Sequence, residues 1–248
     1  MKYYDLLLNL IERDLKLKYR GSSIGLMWSL INPLIMIVIY TWVFQTILKN
    51  PTPNFTMVLM SGLLPWNFFA SSLTSSVGSF TGNATLLTKV KLPKYILVFS
   101  NIFFNFIIFL MMIVLILIAM FFFNVPYTTN LFLLPLAVIV QLIFLLSLGM
   151  IFAISNTYYQ DTAHLIEVLM MAWFWLTPVI YQFNLIPDDF KFYVSLNPMT
   201  LIINLYQSAI MGTPIYTNVF IGALFIVVIL IVAIFLYKKC DSRISELI

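Results

Sequence analysis

Between Tyr95 and Gln160 the chain carries not one Asp, Glu, Lys, Arg or His. A water-facing domain cannot be built from such a stretch, because soluble surfaces draw on roughly a quarter charged residues. The interval is too long for one helix across a hydrocarbon layer about 30 Å thick, and it fits two of roughly 20–28 residues. The break between them reads as 124–130, where Asn124, Pro126 and Asn130 interrupt the apolar run. Composition extends the point to the whole chain, which is 62% hydrophobic and 9% charged. An all-α membrane protein of one domain is expected, with lipid covering the surface that charge does not.

A charge at mid-bilayer is costly, so the charge-free runs locate the spans. They give six: 30–48, 57–77, 96–123, 131–155, 165–181 and 219–237. Residues 1–27 are expected to form an amphipathic helix at the interface, and 79–94 a polar cytoplasmic connection. The segment 182–217 holds Asp188, Asp189 and Lys191, and its apolar run 196–211 is short and interrupted by polar residues. It is expected to enter the membrane from outside without crossing, where protein or a water-filled cavity must surround its backbone.

Six crossings leave both ends of the chain on one side, and the cations choose which. One compartment receives Lys2, Arg13, Lys16, Lys18, Arg20, Lys89, Lys91, Lys94, Lys238, Lys239 and Arg243; the other receives Lys49 and Lys191. The positive-inside rule makes the first the cytoplasm. The net charge of +4 thus reflects topology, and no nucleic-acid partner is expected.

In the N-terminal segment Tyr4, Leu8, Ile11 and Leu15 fall on one helical face, with Asp5, Asn9, Glu12, Lys16 and Arg20 opposite. Such a helix lies in the interface plane. It reads either as an anchor that orients the chain or as a cationic surface, Arg13, Lys16, Lys18 and Arg20, that meets an anionic lipid-borne substrate.

Several kinds of chemistry lack their residues. Ion-coupled transporters keep ionisable groups inside their spans; here Glu167 sits no deeper than a first turn. Metal sites need clustered ligands, whereas His164 and Cys240 are the single histidine and cysteine. Asp161, His164 and Glu167 are close in sequence, but Asp161 and Glu167 are not helical i,i+3 or i,i+4 neighbours. A loop or contact face suits them better than acid–base catalysis. No GxxxxGK[ST] loop is present, so ATP is not cradled that way. The chain is expected to be no enzyme, to bind no cofactor or metal, and to need a partner if it is energised.

The run Tyr19-Arg20-Gly21-Ser22-Ser23-Ile24-Gly25-Leu26-Met27-Trp28, followed by Asn32-Pro33, resembles the start of the first span in type-2 ABC exporters of the polysaccharide and polyol phosphate export family. Gly62-Leu63-Leu64-Pro65-Trp66-Asn67-Phe68-Phe69 is similar to that family's second span. Asn83 with Leu86-Leu87, then Lys89, Leu92 and Pro93, resembles its cytoplasmic connection. Leu176-Thr177-Pro178-Val179-Ile180-Tyr181 and Leu196-Asn197-Pro198-Met199 are similar to motifs around its external re-entrant segment. In order and nearly end to end, they point to Wzm-type O-antigen permeases, with capsule and teichoic acid permeases nearby.

The resemblance implies a homodimeric channel above two separate ATP-binding-cassette subunits, which carry the ATP and Mg. The 79–94 segment would be the coupling helix, meeting the ATPase through Asn83, Leu87, Lys89, Lys91 and Pro93. The loop with Tyr158, Gln160 and Asp161 would be a second contact, although Gln160 stands where relatives often have Arg. Topology control alone also accounts for Lys89, Lys91 and Lys94. The cargo would be a polysaccharide on polyprenyl pyrophosphate, its headgroup near Arg13, Lys16 and Arg20, with membrane lipids around it. Pro178, Tyr181, Asn197 and Pro198 would shape the external gate. Sugars stack on aromatic faces without fixed charge, which makes Tyr40, Trp42, Trp66, Trp173 and Trp175 channel candidates. Packing and an interfacial belt claim most such rings as well. Trp173 and Trp175, two apart, cannot share a helical face. Teichoic acid or capsule as cargo, an ion channel, and a membrane-embedded transferase are the alternatives.

Overall fold

The computed structural model describes residues 3–22, 24–90 and 92–247, with side chains through Asp241. Lys2, Ser23, Lys91 and the side chain of Arg243 lie outside the described residues. All the regular structure described is helical. The helices are α1 (Tyr3–Lys18), α2 (Trp28–Thr41), α3 (Phe55–Val77), α4 (Ala84–Lys89), α5 (Tyr95–Phe122), α6 (Leu133–Tyr158), α7 (Thr162–Trp175), α8 (Asp188–Ser195), α9 (Pro198–Met211) and α10 (Val219–Leu247). A 3₁₀ turn, Gly25–Met27, leads into α2, which ends in a π turn, Trp42–Ile47.

Among the described residues, four helical stretches are long and apolar enough to cross a membrane: Gly25–Ile47, Tyr95–Phe122, Thr129–Tyr158 and Val219–Asp241. At 1.5 Å per residue, α5 with its 28 residues reaches about 42 Å. α3 is as long as the first of these but more polar, and its place explains the difference. It packs against α2, α5, α6, α7 and α9 at the centre of the bundle. Ser61, Ser72 and Ser76 on it are fully buried. The Ser61 and Ser76 hydroxyls donate to the carbonyls of Val58 and Ser72, so these two groups are satisfied within the helix, while the buried Ser72 hydroxyl has no hydrogen-bond partner among the described residues. Enclosed by other helices, α3 needs no lipid-compatible surface. α2 and α10 lie at the rim and expose Ile35, Val38, Phe220 and Ile231.

One expectation gains detail and another is corrected. α1 docks on α5 through an inward stripe that includes buried Leu10 and Ile11. On the predicted apolar face Ile11 is buried and Leu15 half-buried, while Tyr4 and Leu8 are 67% and 45% exposed. Protein and bilayer compete for one helix surface, and packing on α5 turns Leu10 inward. The run read as 165–181 is helical only to Trp175; residues 176–181 form turns. Pro178 supplies no backbone N–H, and Val179 N bonds to the Thr177 carbonyl at 2.7 Å, a turn rather than a helical spacing.

Candidate transport site

α9 is the most enclosed element of the fold: every residue from Pro198 to Ile210 is buried. The sequence starts and stops it sharply. Asn197 Oδ1 accepts from Met199 N, Pro198 occupies the first helical position, and Gly212 follows the last turn at φ +68°. Asn at the N-cap, Pro just inside and Gly just beyond are the arrangement a short helix needs. Asn197 has a second task. Its Oδ1 also accepts from Trp173 Nε1 at 2.9 Å, and its Nδ2 donates to Thr177 Oγ1 at 2.8 Å, tying α9 to the end of α7.

The 176–181 turns close over this helix. Gln207 Nε2 donates to the Pro178 carbonyl at 3.2 Å, and Tyr181 OH to the Trp175 carbonyl at 3.1 Å. A Cβ on Gly62 would overlap the Val179 carbonyl, so α3 approaches the turn backbone to backbone. Of the four predicted gate residues, Asn197, Pro198 and Pro178 converge here, while Tyr181 sits half-buried at the edge.

A cavity of about 590 Å³ opens between the end of α1, α2, α3 and α5. Trp28, Ser29, Asn32 and Met36 line it from α2, Asn67, Phe68 and Ser71 from α3, and Asn105, Phe109 and Met112 from α5. Its polar groups are amides and hydroxyls, set at helical spacings among aromatic rings. One cation reaches it. Lys18 Nζ lies 4.9 Å from the Phe104 ring, and burial holds its ammonium below the ordinary lysine value. Tyr19 OH and Ser29 Oγ hydrogen-bond across the mouth. The arrangement suits an uncharged, hydroxyl-rich ligand with an anionic end. Neither Asn105 nor Ser71 was anticipated from sequence; the signal was uncharged polar residues recurring four apart, Asn67 with Ser71 and Asn101 with Asn105.

Of the four predicted cations Lys18 lines this cavity, whereas Arg13, Lys16 and Arg20 do not. Arg13 pairs with Asp14 at 2.8 Å and donates to Asn83 Oδ1 at 3.1 Å. Lys16 holds Glu12 at 2.6 Å and keeps its carboxyl below the usual carboxylate range; Arg20 is exposed. Arg13, expected at a lipid headgroup, therefore meets Asn83, expected at the ATPase.

On α4 Leu87 is buried and Lys89 exposed; Pro93 is half-buried beyond, and Lys91 lies outside the described residues. The Tyr158, Gln160 and Asp161 loop is exposed. Asn156 Nδ2 reaches Thr81 Oγ1 at 3.4 Å, joining that loop's helix to the connection before α4.

The aromatic candidates scatter. Trp66 is 5% exposed, enclosed by Phe69 and Phe174. Trp173 packs edge-on to Phe69 and Phe144. Tyr40 is half-buried, while Trp42 and Trp175 are exposed.

Residues 5–211 match the family model for ABC-2 type transporters. The chain belongs to that family. This ABC-2 chain is 31% identical over 255 residues to an O-antigen export system permease protein RfbA of Klebsiella pneumoniae, covering 100% of the chain and 98% of the relative. It is 32% identical over 209 residues to an RfbA of Myxococcus xanthus, covering 84% and 80%. A polysialic acid transport protein KpsM of Escherichia coli is 21% identical over 241 residues, covering 94% and 92%.

Proposed function

We propose that the chain is the channel-forming permease subunit of an ATP-driven exporter that moves polysaccharide on a polyprenyl pyrophosphate carrier, of the O-antigen class, across the cytoplasmic membrane. The end-to-end match to an O-antigen export permease carries this reading. The weaker likeness to KpsM, at 21%, makes capsular polysaccharide the lesser cargo.

The subunit acts as a homodimer on two ATP-binding-cassette subunits that hold ATP and Mg. α2, α3, α5, α6, α7 with the 176–181 turns, and α10 make six crossings, with both ends in the cytoplasm. α9 enters the outer half from its Asn197 cap and turns back at Gly212, where the left-handed backbone ends it. The 79–94 segment and the exposed Tyr158, Gln160 and Asp161 loop take the ATPase contact. Lys18 receives the anionic carrier end at the cavity mouth, and the amides and rings behind it take sugar hydroxyls and faces.

Deletion of this subunit from its host tests the reading. Surface glycan is expected to disappear while lipid-linked polymer accumulates on the cytoplasmic side, and an ATPase is expected to co-purify with the intact chain. Unchanged surface glycan would sink the proposal. Loss of capsule or teichoic acid alone would move the cargo and keep the machine.

A further inference from the structure

Lys94 stands at the junction where the 79–94 segment becomes α5, and it is 7% exposed. Its Nζ lies 3.4 Å from Asp241 Oδ1 on the last turns of α10. Among the described residues, the other ion pairs join positions within four of each other on one helix. Lys94 and Asp241 instead join two elements far apart in the chain. A lysine needed only to mark the cytoplasmic side would stand in water, as exposed Lys89 does, since an enclosed ammonium is costly without a carboxylate.

The contact is wider than one pair. Tyr237 stands one turn before Asp241 on the same helix. Its ring meets that of Tyr95 edge-on at 6.0 Å between centroids. Further along, α10 lies tightly on α9: a Cβ on Gly222 would stand 2.6 Å from Leu201 Cδ2. A single unbroken helix thus touches the cytoplasmic segment at one end and the enclosed α9 at the other.

We infer that the Lys94–Asp241 pair is the joint through which movement of the 79–94 segment reaches α10 and, along it, the α9 segment. The two are positioning residues for coupled export and take no part in the substrate path. The inference rests on the proposed export function. ATP-driven displacement of the coupling segment pulls Lys94, and the pair converts that pull into a shift of α10 against α9.

The test uses the complex of this permease with its ATPase subunits in proteoliposomes, measuring ATP hydrolysis and export of lipid-linked glycan separately. Lys94→Met and Asp241→Asn are expected to keep assembly and hydrolysis while export per ATP falls on the order of tenfold. The exchange Lys94→Asp with Asp241→Lys is expected to recover most of that ratio. Asp241, whose side chain is 48% exposed, carries the test if the Lys94 variant does not assemble. Hydrolysis and export falling in parallel, an unaltered ratio, or an exchange that recovers nothing would each overturn the joint. A wild-type chain that binds no ATPase would overturn the export reading itself, a result distinct from any behaviour of the variants.

Discussion

Tyr206 donates its hydroxyl to Gln141 Oε1 across 2.7 Å at a point where both side chains are shut away from solvent. The same amide donates from Nε2 to the Pro65 carbonyl at 2.8 Å. One glutamine therefore holds α9, α6 and α3 together in the apolar centre of the bundle, where an unpaired polar atom is costly.

Tyr206→Phe leaves Gln141 Oε1 without its donor and is expected to destabilise by about 1–3 kcal/mol. Gln141→Leu is expected to cost as much, stranding the Tyr206 hydroxyl. The double variant removes both ends of the bond and should cost less than the two singles summed. Thermal unfolding of purified protein in detergent reads this; strict additivity would count against a direct bond.

Asn197→Ala removes the N-cap of α9 together with the partner of Trp173, and a loss of about 1–2 kcal/mol is expected from the cap alone. Asn197→Asp keeps the oxygen that accepts from Met199 N and Trp173 Nε1 and loses the donor to Thr177. It should retain more stability than the alanine. Equal losses would show that the cap oxygen is not what matters.

Gly62→Ala places a methyl group into the Val179 carbonyl, which is backbone and cannot rotate aside. A cost of about 1–3 kcal/mol is expected from overpacking. Gly222→Ala meets the Leu201 side chain, which can adjust, so its cost should be smaller. The ranking of the two melting temperatures checks the assignment.

Burial lowers the folded-state pKa of Lys18 from 10.5. Between the folded value and 10.5 the unfolded chain binds the extra proton, so this group's contribution to stability rises with pH through that window. Lys18→Met removes the titration. The stability difference between variant and wild type should then move in favour of wild type as pH climbs toward 10.5. Melting curves across the alkaline range decide it, and a flat difference would exclude a partly desolvated ammonium.

Asn67 lines the cavity beside Ser71. If amides there carry sugar hydroxyls, Asn67→Leu should slow export while leaving the melting temperature close to wild type or above it. Flow of labelled glycan into the outer leaflet is the readout. A variant that unfolds and one that merely transports poorly are separated by the same pair of measurements.

Helical class was legible because the bilayer imposes it: the charge-free interval Tyr95–Gln160 admits little else, and α5 and α6 fill it. Asn197-Pro198 was noticed as a motif, and the cap geometry supplies its physical reason. The cavity was not legible as a site. Ser29, Asn67, Ser71 and Asn105 are scattered singly through apolar runs, and nothing local says which helices bring them together. The same limit applies to α1, where periodicity placed Ile11 on the apolar face and only the α5 surface brought Leu10 inward beside it.

Sequence alone determined the features governed by transfer out of water: the helical class, and cations kept out of the long apolar runs. These depend on each residue's own cost in lipid, a property that adds up along the chain without reference to neighbours. Tertiary structure decided which polar residues inside those helices find one another, as Gln141 finds Tyr206 and Pro65, and Lys94 finds Asp241. Such pairings depend on distances between elements far apart in sequence. No local sum contains them.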